Sequence, residues 1–203
     1  ILPLFAPQYP DVQVVLHEAA VPELTKLAED SVIDFCVMHI PTDLTELSYE
    51  LIMRERVFLI GHKDHPLLRG LDSPYDRPLQ FTQLRQLEHE RIVMLPSDWR
   101  LAKLLYNTFS VLNVEPQNIL VTTNNTTAIN LAAGNMGFAF LQESGISRTP
   151  YLDRLACFTI GEPPLTCPTA VVYKKNGFLS PAARAFIDLT KDFYRKFNRD
   201  GTF

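Results

Sequence analysis

Residues 119–144, ILVTTNNTTAINLAAGNMGFAFLQES, constrain the fold more than any other stretch of this 203-residue chain. The apolar run 119–121 is typical of a buried strand. Residues 122–127 are all Thr or Asn, and such side chains accept hydrogen bonds from the N–H groups of a helix's first turn. Gly134 predicts a left-handed cap at the end of that helix. The second apolar run, 138–141, completes a strand–helix–strand unit.

Each strand of this unit is followed by polar residues. In an open α/β sheet, small ligands bind at the carboxyl ends of the strands. Two interpretations of the Thr/Asn cluster stay open. It offers hydroxyls, amides and backbone N–H groups to an anionic or polar ligand, or it only caps a helix.

Composition excludes several classes of protein. The chain is 46% hydrophobic and 21% charged, which is ordinary for a globular protein with a sizeable core. Its net charge of −4 and its lack of a basic stripe argue against binding of a nucleic-acid phosphate backbone by this chain itself. No apolar run approaches the length of a membrane span, and residues 1–10 lack the features of a signal peptide. Cys36, Cys157 and Cys167 are an odd number without C-x-x-C spacing, which indicates free thiols and the cytoplasm.

The first forty residues predict the start of a parallel sheet. An amphipathic helix covers Leu2 to Tyr9, a strand Val12–Leu16, a helix Pro22–Glu29 and a buried strand Ser31–Met38. This alternation is typical of α/β folds. Because a helix rarely opens a domain without a cap, we expect a further segment upstream of Ile1.

The remaining chain predicts a second block of the same kind. Its elements are a strand Leu51–Gly61, a short helix Phe81–Leu87, a strand Arg91–Leu95, a helix starting at Pro96-Ser97-Asp98, the unit 119–144, an edge strand Asp153–Ile160, a strand Thr169–Tyr173 and a helix from Pro181 to about Arg195. The Pro-rich loop before Pro78 marks a boundary. We therefore expect two α/β subdomains with a cleft between them, residues 1–62 plus 171–203 and residues 63–170.

The sequence shows no recognisable catalytic or metal-binding motif. His62 and His65 have helical spacing for a metal, but no third ligand is near in sequence, so a hinge turn is favoured. Ser144 lacks a nucleophile elbow, and the chain contains neither a Walker nor a G-x-G-x-x-G loop. Cys36 lies in an apolar strand and is expected in the core. We predict no enzyme, no metal and no cofactor.

Five segments resemble the regulatory half of LysR-type transcriptional regulators. They are LPLFAPQYPDVQVVLHEA, PELTKLAEDSVIDFCVM, VFLIGHKDHPL, the unit 119–144 and VVYKKNGFLSPAARAFIDL, and together they cover nearly the whole chain. The resemblance implies an α/β fold of the type II periplasmic-binding-protein kind. Two Rossmann-like subdomains would be joined by crossing strands near Val57–His62 and Thr169–Tyr173, with the effector between them. The family's winged helix-turn-helix and the first strand of its first subdomain are absent from this chain.

The expected function is the sensing of a small polar or carboxylate metabolite, which modulates DNA binding by the full-length protein. Predicted effector-binding residues follow the carboxyl ends of strands: His39, Pro41, Thr42, Pro96, Ser97, Trp99, Arg100, Thr122, Asn124, Asn125, Thr126, Gln142 and Glu143. Arg100 could hold a carboxylate through two parallel N–H bonds. The alternative is that Arg100 is a solvated residue of the first helical turn.

Assembly is predicted from two helices that carry more apolar surface than one sheet face requires. By resemblance to the family, they would meet antiparallel across a two-fold dimer, and the full-length protein would form a tetramer. The predicted dimer contacts are Leu4, Phe5, Leu101, Leu105, Tyr106 and Phe109. The alternative is that these side chains pack inside their own domain.

Two other functions remain open at this point. A periplasmic solute-binding protein would share the fold and the cleft. The unpaired cysteines and the LysR-like order of the segments favour the regulator instead. An enzyme on the same two-domain sheet would need a catalytic constellation, which the sequence does not supply.

Overall fold

The computed structural model describes residues 1–41, 43–68, 78–79, 81–146 and 149–200. Its contacts divide the chain into two compact units. Unit 1 is Ile1–Arg54 with Pro168–Phe203, and unit 2 is Glu55–Cys167. Both boundaries lie inside strands, earlier than the positions 62 and 170 expected from the sequence.

Unit 1 contains a three-stranded sheet with a helix on each face. Its elements are α1 (Leu2–Phe5), α2 (Val21–Glu29), β1 (Cys36–His39), the first part of β2 (Leu47–His62), most of β8 (Thr166–Lys174) and α6 (Pro181–Asp200). The strand order is β1-β8-β2, and β1 is antiparallel to β8, with Cys36 opposite Val172.

Alternation of side chains along β1 and β8 gives each helix of unit 1 its own core. Cys36, Met38, Ala170 and Val172 point to the α2 side, where Ala28 is fully buried. Val171, with Ile52, Met53 and Tyr173, packs on the other side around Ile187 of α6. Because successive side chains of a strand point to opposite faces, one apolar run serves both cores.

Unit 2 is a twisted sheet with a parallel half and an antiparallel half. Its elements are the second part of β2, β3 (Pro78–Leu79), a 3₁₀ turn (Phe81–Leu87), β4 (Arg91–Met94), α3 (Arg100–Val111), β5 (Asn118–Val121), α4 (Asn125–Ala133), β6 (Phe138–Gln142), α5 (Glu143–Ile146), a 3₁₀ turn (Leu152–Arg154) and β7 (Leu155–Ile160). Strands β5, β4 and β6 are parallel neighbours, and β2 pairs antiparallel with β6 and β7. The crossing strands expected near Val57–His62 and Thr169–Tyr173 are therefore parts of β2 and β8.

Large apolar side chains fill the two faces of the unit 2 sheet. Leu101, Leu105 and Phe109 of α3 pack with Phe140 on one face. The small residues of α4, among them Ala128 and Ala132, pack with Phe58 on the other. Small side chains on the buried face of a helix allow close packing against a sheet.

Several element predictions were wrong in detail. Val12–Leu16 forms no strand: residues 12–20 have no regular secondary structure. The strand expected over Ser31–Met38 begins only at Cys36. The helix expected from Pro96-Ser97-Asp98 starts at Arg100, with Trp99 as N-cap and no side-chain cap. Residues 155–160 are not an edge strand, because β7 pairs with β2 on one side and β3 on the other, and all six are buried.

The end of α4 also differs from the prediction. Gly134 has φ −88° and is not left-handed, and Asn135 takes the left-handed conformation at φ 57° instead. Asn tolerates this conformation better than most residues because its short side chain can hydrogen-bond locally. Gly137 then turns the chain at φ 145°, where a Cβ would lie 2.5 Å from the carbonyl oxygen of Arg91.

The carboxylate of Glu50 ties β2 to α6 in unit 1. Lys191 Nζ donates to Glu50 Oε2 at 2.6 Å, Tyr173 Oη donates to Oε1 at 3.1 Å, and Arg184 also donates to Oε1. Burial alone would raise the pKa of Glu50, but the hydrogen bonds from Lys191 and Arg184 and the charge of Lys191 outweigh it. They lower that pKa to about 2, from an ordinary value of 4.5.

We predict that Glu50→Gln destabilises the protein at pH 7 by about 1–3 kcal/mol, since hydrogen bonds to charged groups have this range. The pKa of Glu50 is lower in the folded state, so its contribution is complete above the unfolded value. It is lost as pH falls from about 4.5 toward 2. Urea unfolding at pH 7 and at pH 4 measures the difference. Asp188→Asn is the control, because Asp188 is an exposed acid on α6, the helix that Glu50 binds. An equal cost for Glu50→Gln at every pH would contradict the prediction.

Candidate functional site

Three adjacent parallel strands of unit 2 end at one edge of the sheet. Residues 95–99 follow β4, residues 122–124 follow β5, and β6 runs directly into α5 at Glu143. The Thr122 N–H donates to the Met94 carbonyl oxygen at 3.0 Å, which holds the first two ends together. The strand-end residues predicted for this unit therefore lie on one edge, where α/β sheets bind small ligands.

The Thr/Asn cluster begins α4, as the sequence predicts. Asn124 is the N-cap, and its side-chain oxygen accepts from the Thr127 N–H at 3.1 Å. Thr122 Oγ1 accepts from the Asn124 N–H at 3.2 Å. Asn124, Asn125 and Thr126 are exposed, and the Asn125 amide nitrogen lies 3.9 Å from the Cβ position of Gly145 in α5. The cluster caps the helix and still presents polar side chains beside α5.

A partly buried ion pair links β2 to the start of α5. Arg56 Nε donates to Glu143 Oε2 at 2.9 Å, and a second nitrogen of the same guanidinium donates to Oε1. Glu55 Oε1 accepts from the Ser144 N–H at 3.3 Å. Glu55 and Glu143 are 5% and 8% exposed, so each carboxylate needs such partners to offset its desolvation. The predicted ligand residue Glu143 thus already has its charge neutralised by Arg56.

Arg100 and Gln142 meet at the thiol of Cys167. Both side chains hydrogen-bond to this sulfur, and Arg100 and Glu55 both act on it through their charges. Burial, the largest cause, raises the pKa of Cys167 despite the opposing effect of Arg100. Arg100 is half-buried. It begins α3, so it lies in the first turn of a helix that starts at the strand-end edge.

The other predicted ligand residues are placed as follows. Ser97 is exposed, while Pro96 and Trp99 are half-buried, and Trp99 packs against the α3-side core. His39 and Pro41 belong to unit 1, where His39 Nδ1 lies 3.4 Å from Thr169 Oγ1. Thr42 lies outside the described residues.

Sequence reasoning missed Glu55, Arg56 and Cys167 as parts of this polar cluster. A signal was present, because Arg54, Glu55 and Arg56 interrupt an otherwise apolar strand pattern. Charges inside a buried strand need partners from elsewhere in the fold. Which partners these are could not be read from one sequence.

The histidines and the remaining cysteines have structural surroundings. His65 Nε2 lies 3.5 Å from a Glu90 oxygen, and its ring meets Phe138 edge-on at 4.6 Å. Within the described ranges, no three His, Cys, Asp or Glu side chains gather as a metal site would require. Burial raises the pKa of Cys36 to about 11 and that of Cys157 to about 12. Both are buried, as expected for Cys36.

Four of the six predicted dimer contacts lie in intramolecular cores. Phe5 is 2% exposed and stacks on Tyr9 at 4.6 Å. Leu101, Leu105 and Phe109 are 1–2% exposed in the core of unit 2. These four have no surface to offer a partner, which corrects the prediction. Leu4 remains 47% exposed, Tyr106 is half-buried, and Val111 on the same helix is 82% exposed.

No helix among the described residues has the length and apolarity needed to cross a lipid bilayer.

We predict that Arg56→Met destabilises unit 2 by about 2–4 kcal/mol, because it leaves the carboxylate of Glu143 buried without its cation. The double variant Arg56→Met/Glu143→Gln should recover a large part of this loss, since no unpaired charge remains. Urea unfolding of both variants measures the coupling, with Arg54→Met, an exposed neighbour in sequence, as the control. Strictly additive effects of the two substitutions would contradict the pairing.

Comparisons with known proteins identify the family of this chain. Residues 1–195 match the family model described as the LysR substrate binding domain. A probable RuBisCO transcriptional regulator of Trieres chinensis is 24% identical over 192 residues, covering 92% of this chain and 60% of the relative. The uncharacterised HTH-type transcriptional regulator YvbU of Bacillus subtilis strain 168 is 21% identical over 199 residues, covering 94% and 60%. The chain thus spans about 60% of the length of these relatives.

Solved structures show the same fold. The BenM effector binding domain with its effector benzoate superposes with a TM-score of 0.79 at 20% identity, covering 97% of this chain and 85% of that one. The regulatory domain of CcmR from Synechocystis PCC6803, in complex with 2-PG, has a TM-score of 0.78 at 20% identity, covering 95% and 88%. The predicted periplasmic-binding-protein-like α/β fold is confirmed.

Proposed function

Because this chain belongs to the LysR substrate binding domain family, we propose that it is the ligand-sensing regulatory domain of a transcriptional regulator. Binding of a small metabolite would change how the full-length protein binds DNA, through a helix-turn-helix outside these residues. The relatives and structural neighbours named above are regulators and effector domains, which favours this function over a solute-binding protein.

One observation carries the proposal for the ligand site. Three neighbouring parallel strands of unit 2 end together in polar residues, and the N-termini of α3 and α4 lie at those ends. Helix N-termini favour negative charge, and Arg100 adds a guanidinium at the same edge. These features suit a small ligand that carries a carboxylate.

The ligand-contacting set that we propose in unit 2 has two parts. Arg100 and Gln142 would bind the charged end of the ligand, and Asn125 and Thr126 would donate from the start of α4. Glu143 has a supporting role, because its carboxylate is held by Arg56. Pro96, Ser97, Trp99, Thr122 and Asn124 remain predicted lining residues, as do His39, Pro41 and Thr42 of unit 1.

In the function that we propose, the protein is not an enzyme. It acts in the cytoplasm, where the full-length regulator binds DNA. The family and its regulator relatives support this. The buried cysteines are also compatible with a reducing compartment.

We predict that small mono- and dicarboxylates bind this domain and that Arg100→Met weakens binding about 10- to 100-fold, as expected from the loss of a charge-assisted hydrogen bond. Asn125→Ala should weaken it about 3- to 10-fold, since a neutral hydrogen bond contributes less. Isothermal titration calorimetry with a panel of acids, amino acids and sugars measures both. Arg85→Met is the control, because Arg85 is an exposed arginine of the same unit.

Thermal unfolding must first show that each variant is folded, because Arg100 also contacts Cys167. Binding of a ligand with the same affinity in wild type, Arg100→Met and Asn125→Ala would contradict the proposed site. Preferential binding of neutral sugars would contradict the proposed ligand class.

We also propose a symmetric dimer built from the exposed parts of α1 and α3. In a two-fold interface both copies contribute the same surface, so each exposed apolar side chain is covered in both copies. Val111 is 82% exposed and Leu4 47%, and such side chains gain most from being covered by a partner. A tetramer of the full-length protein would use further contacts outside this chain.

We predict that Val111→Asp weakens this dimer at least tenfold, since it places a charge in an apolar contact. Tyr106→Asp should act in the same direction. Light scattering over a micromolar concentration series measures the dissociation constant. Phe178→Asp is the control, because Phe178 is 86% exposed but lies between β8 and α6, outside α1 and α3. A wild-type monomer, or equal weakening by Phe178→Asp, would contradict the interface.

A further inference from the structure

A cavity of about 260 Å³ opens at the surface of unit 1. Residues 31–34, which follow α2, form one wall. The other wall is formed by Tyr173 and Lys174 at the end of β8 and by residues 177–179. The residues proposed above to contact the effector are not among those that line it, so it is a separate cavity.

Backbone hydrogen bonds are made along both walls. Ser31 takes the left-handed conformation at φ 57°, and the Val32 N–H donates to the Leu27 carbonyl oxygen of α2 at 2.9 Å. On the other wall, the Gly177 N–H donates to the Lys174 carbonyl oxygen at 3.0 Å. Both walls thus have backbone partners within the fold, and small-molecule sites are usually largely pre-formed in this way.

Two apolar side chains at this cavity are unusually exposed. Phe178 is 86% exposed and Val32 60%. Leu179, the next residue, packs against the core of unit 1 that contains Ile187, so the backbone beside Phe178 is anchored. An apolar group placed against Phe178 and Val32 would remove their surface from water, which is favourable in proportion to the area covered.

Each wall of the cavity also carries one charged residue. Asp34 is exposed, and Lys174 is half-buried. Within the described ranges, neither side chain has a hydrogen-bond or ion-pair partner. A ligand that brings both an ammonium and a carboxylate would meet an opposite charge for each of them.

We propose that this cavity binds a small zwitterion with an apolar side chain, of the size of a free aromatic amino acid. Its ammonium would bind Asp34, its carboxylate would bind Lys174, and its ring would cover Phe178 and Val32. This would be a second small-molecule site of the protein, in addition to the effector site proposed above.

The two charges favour a free amino acid over a segment of a partner protein. A residue within a polypeptide has lost its ammonium and its carboxylate to peptide bonds, so its backbone would leave Asp34 and Lys174 without opposite charges. The volume of the cavity suits a molecule of this size. A cavity of about 150 Å³ can hold benzene. The 260 Å³ available here leaves room for the two charged groups as well.

Three related probes test whether both charges of the ligand are recognised. L-phenylalanine has both, 3-phenylpropionate lacks the ammonium, and 2-phenylethylamine lacks the carboxylate. Isothermal titration calorimetry should give a millimolar or lower Kd for phenylalanine, and each analogue should bind about 3- to 10-fold more weakly. Equal binding of all three probes would overturn the proposed ligand class, and an absence of phenylalanine binding would overturn the site.

Variants that remove one charge test the placement of the ligand. Asp34→Asn should lower the affinity for phenylalanine about 3- to 10-fold and leave that for 3-phenylpropionate unchanged, because this probe has no ammonium. Lys174→Met should likewise weaken phenylalanine and leave 2-phenylethylamine unchanged. Asp30→Asn and Lys175→Met are the controls, because both side chains are exposed, carry the same charges and do not line the cavity. Controls that weaken binding as much as the cavity variants would overturn the placement.

Amide chemical shifts locate the bound probe directly. Addition of phenylalanine should shift the amide signals of Val32 and Gly177, which belong to the two walls. Phe178→Ala should weaken all three probes, because each carries the ring that would cover this side chain. Shift changes confined to residues 122–126 would mean binding at the effector site and would overturn the inference, as would unchanged affinities in Phe178→Ala.

Discussion

Strand β2 is the element on which the rest of the structure depends. It has 16 residues and belongs to unit 1 up to Arg54 and to unit 2 from Glu55. In unit 1 its Glu50 carboxylate is bound to α6, and in unit 2 its Arg56 is bound to the start of α5. Its apolar residues 57–60 are 0–1% exposed and lie between β6 and β7. The buried part of such a strand can carry charges only where another element supplies an opposite charge or a hydrogen-bond donor, because an unpaired buried ion costs several kcal/mol.

This constraint explains why the polar cluster of unit 2 is built as it is. Gln142 ends β6 and Glu143 begins α5, and both side chains are buried polar groups that need hydrogen-bond partners. Arg56 and Arg100 supply the cations, and the Ser144 N–H supplies a donor to Glu55. If the proposed ligand binds here, side chains that are already paired in this way would lose less conformational entropy on binding.

The sequence predicted the parts of the fold that depend on local pattern. The start of α4 at Asn124 and Asn125, the turn at Phe81–Leu87 and the strands around residues 92, 120 and 140 follow from periodicity and capping. Prediction from the sequence failed where contacts between distant parts of the chain determine whether a side chain is buried. Leu101, Leu105 and Phe109 have the same pattern whether their helix faces a core or a dimer, and only the packing around Phe140 separates these cases. Likewise, the Arg56–Glu143 pair joins residues 87 positions apart, a distance that no local pattern spans.

Residues 12–16 show that local sequence pattern is also insufficient to predict a strand. Their β-branched composition favours an extended backbone, but they have no regular secondary structure in the fold. A strand, however, is defined by hydrogen bonds to a neighbour, so propensity alone cannot create one. Val37 of β1 shows this dependence on neighbours. Strand β1 is paired with β8 along one edge, and the Val37 side chain is 45% exposed. A helix carries its backbone partners within itself, whereas each strand depends on the next, so strand formation in unit 1 depends on which neighbours its sheet contains.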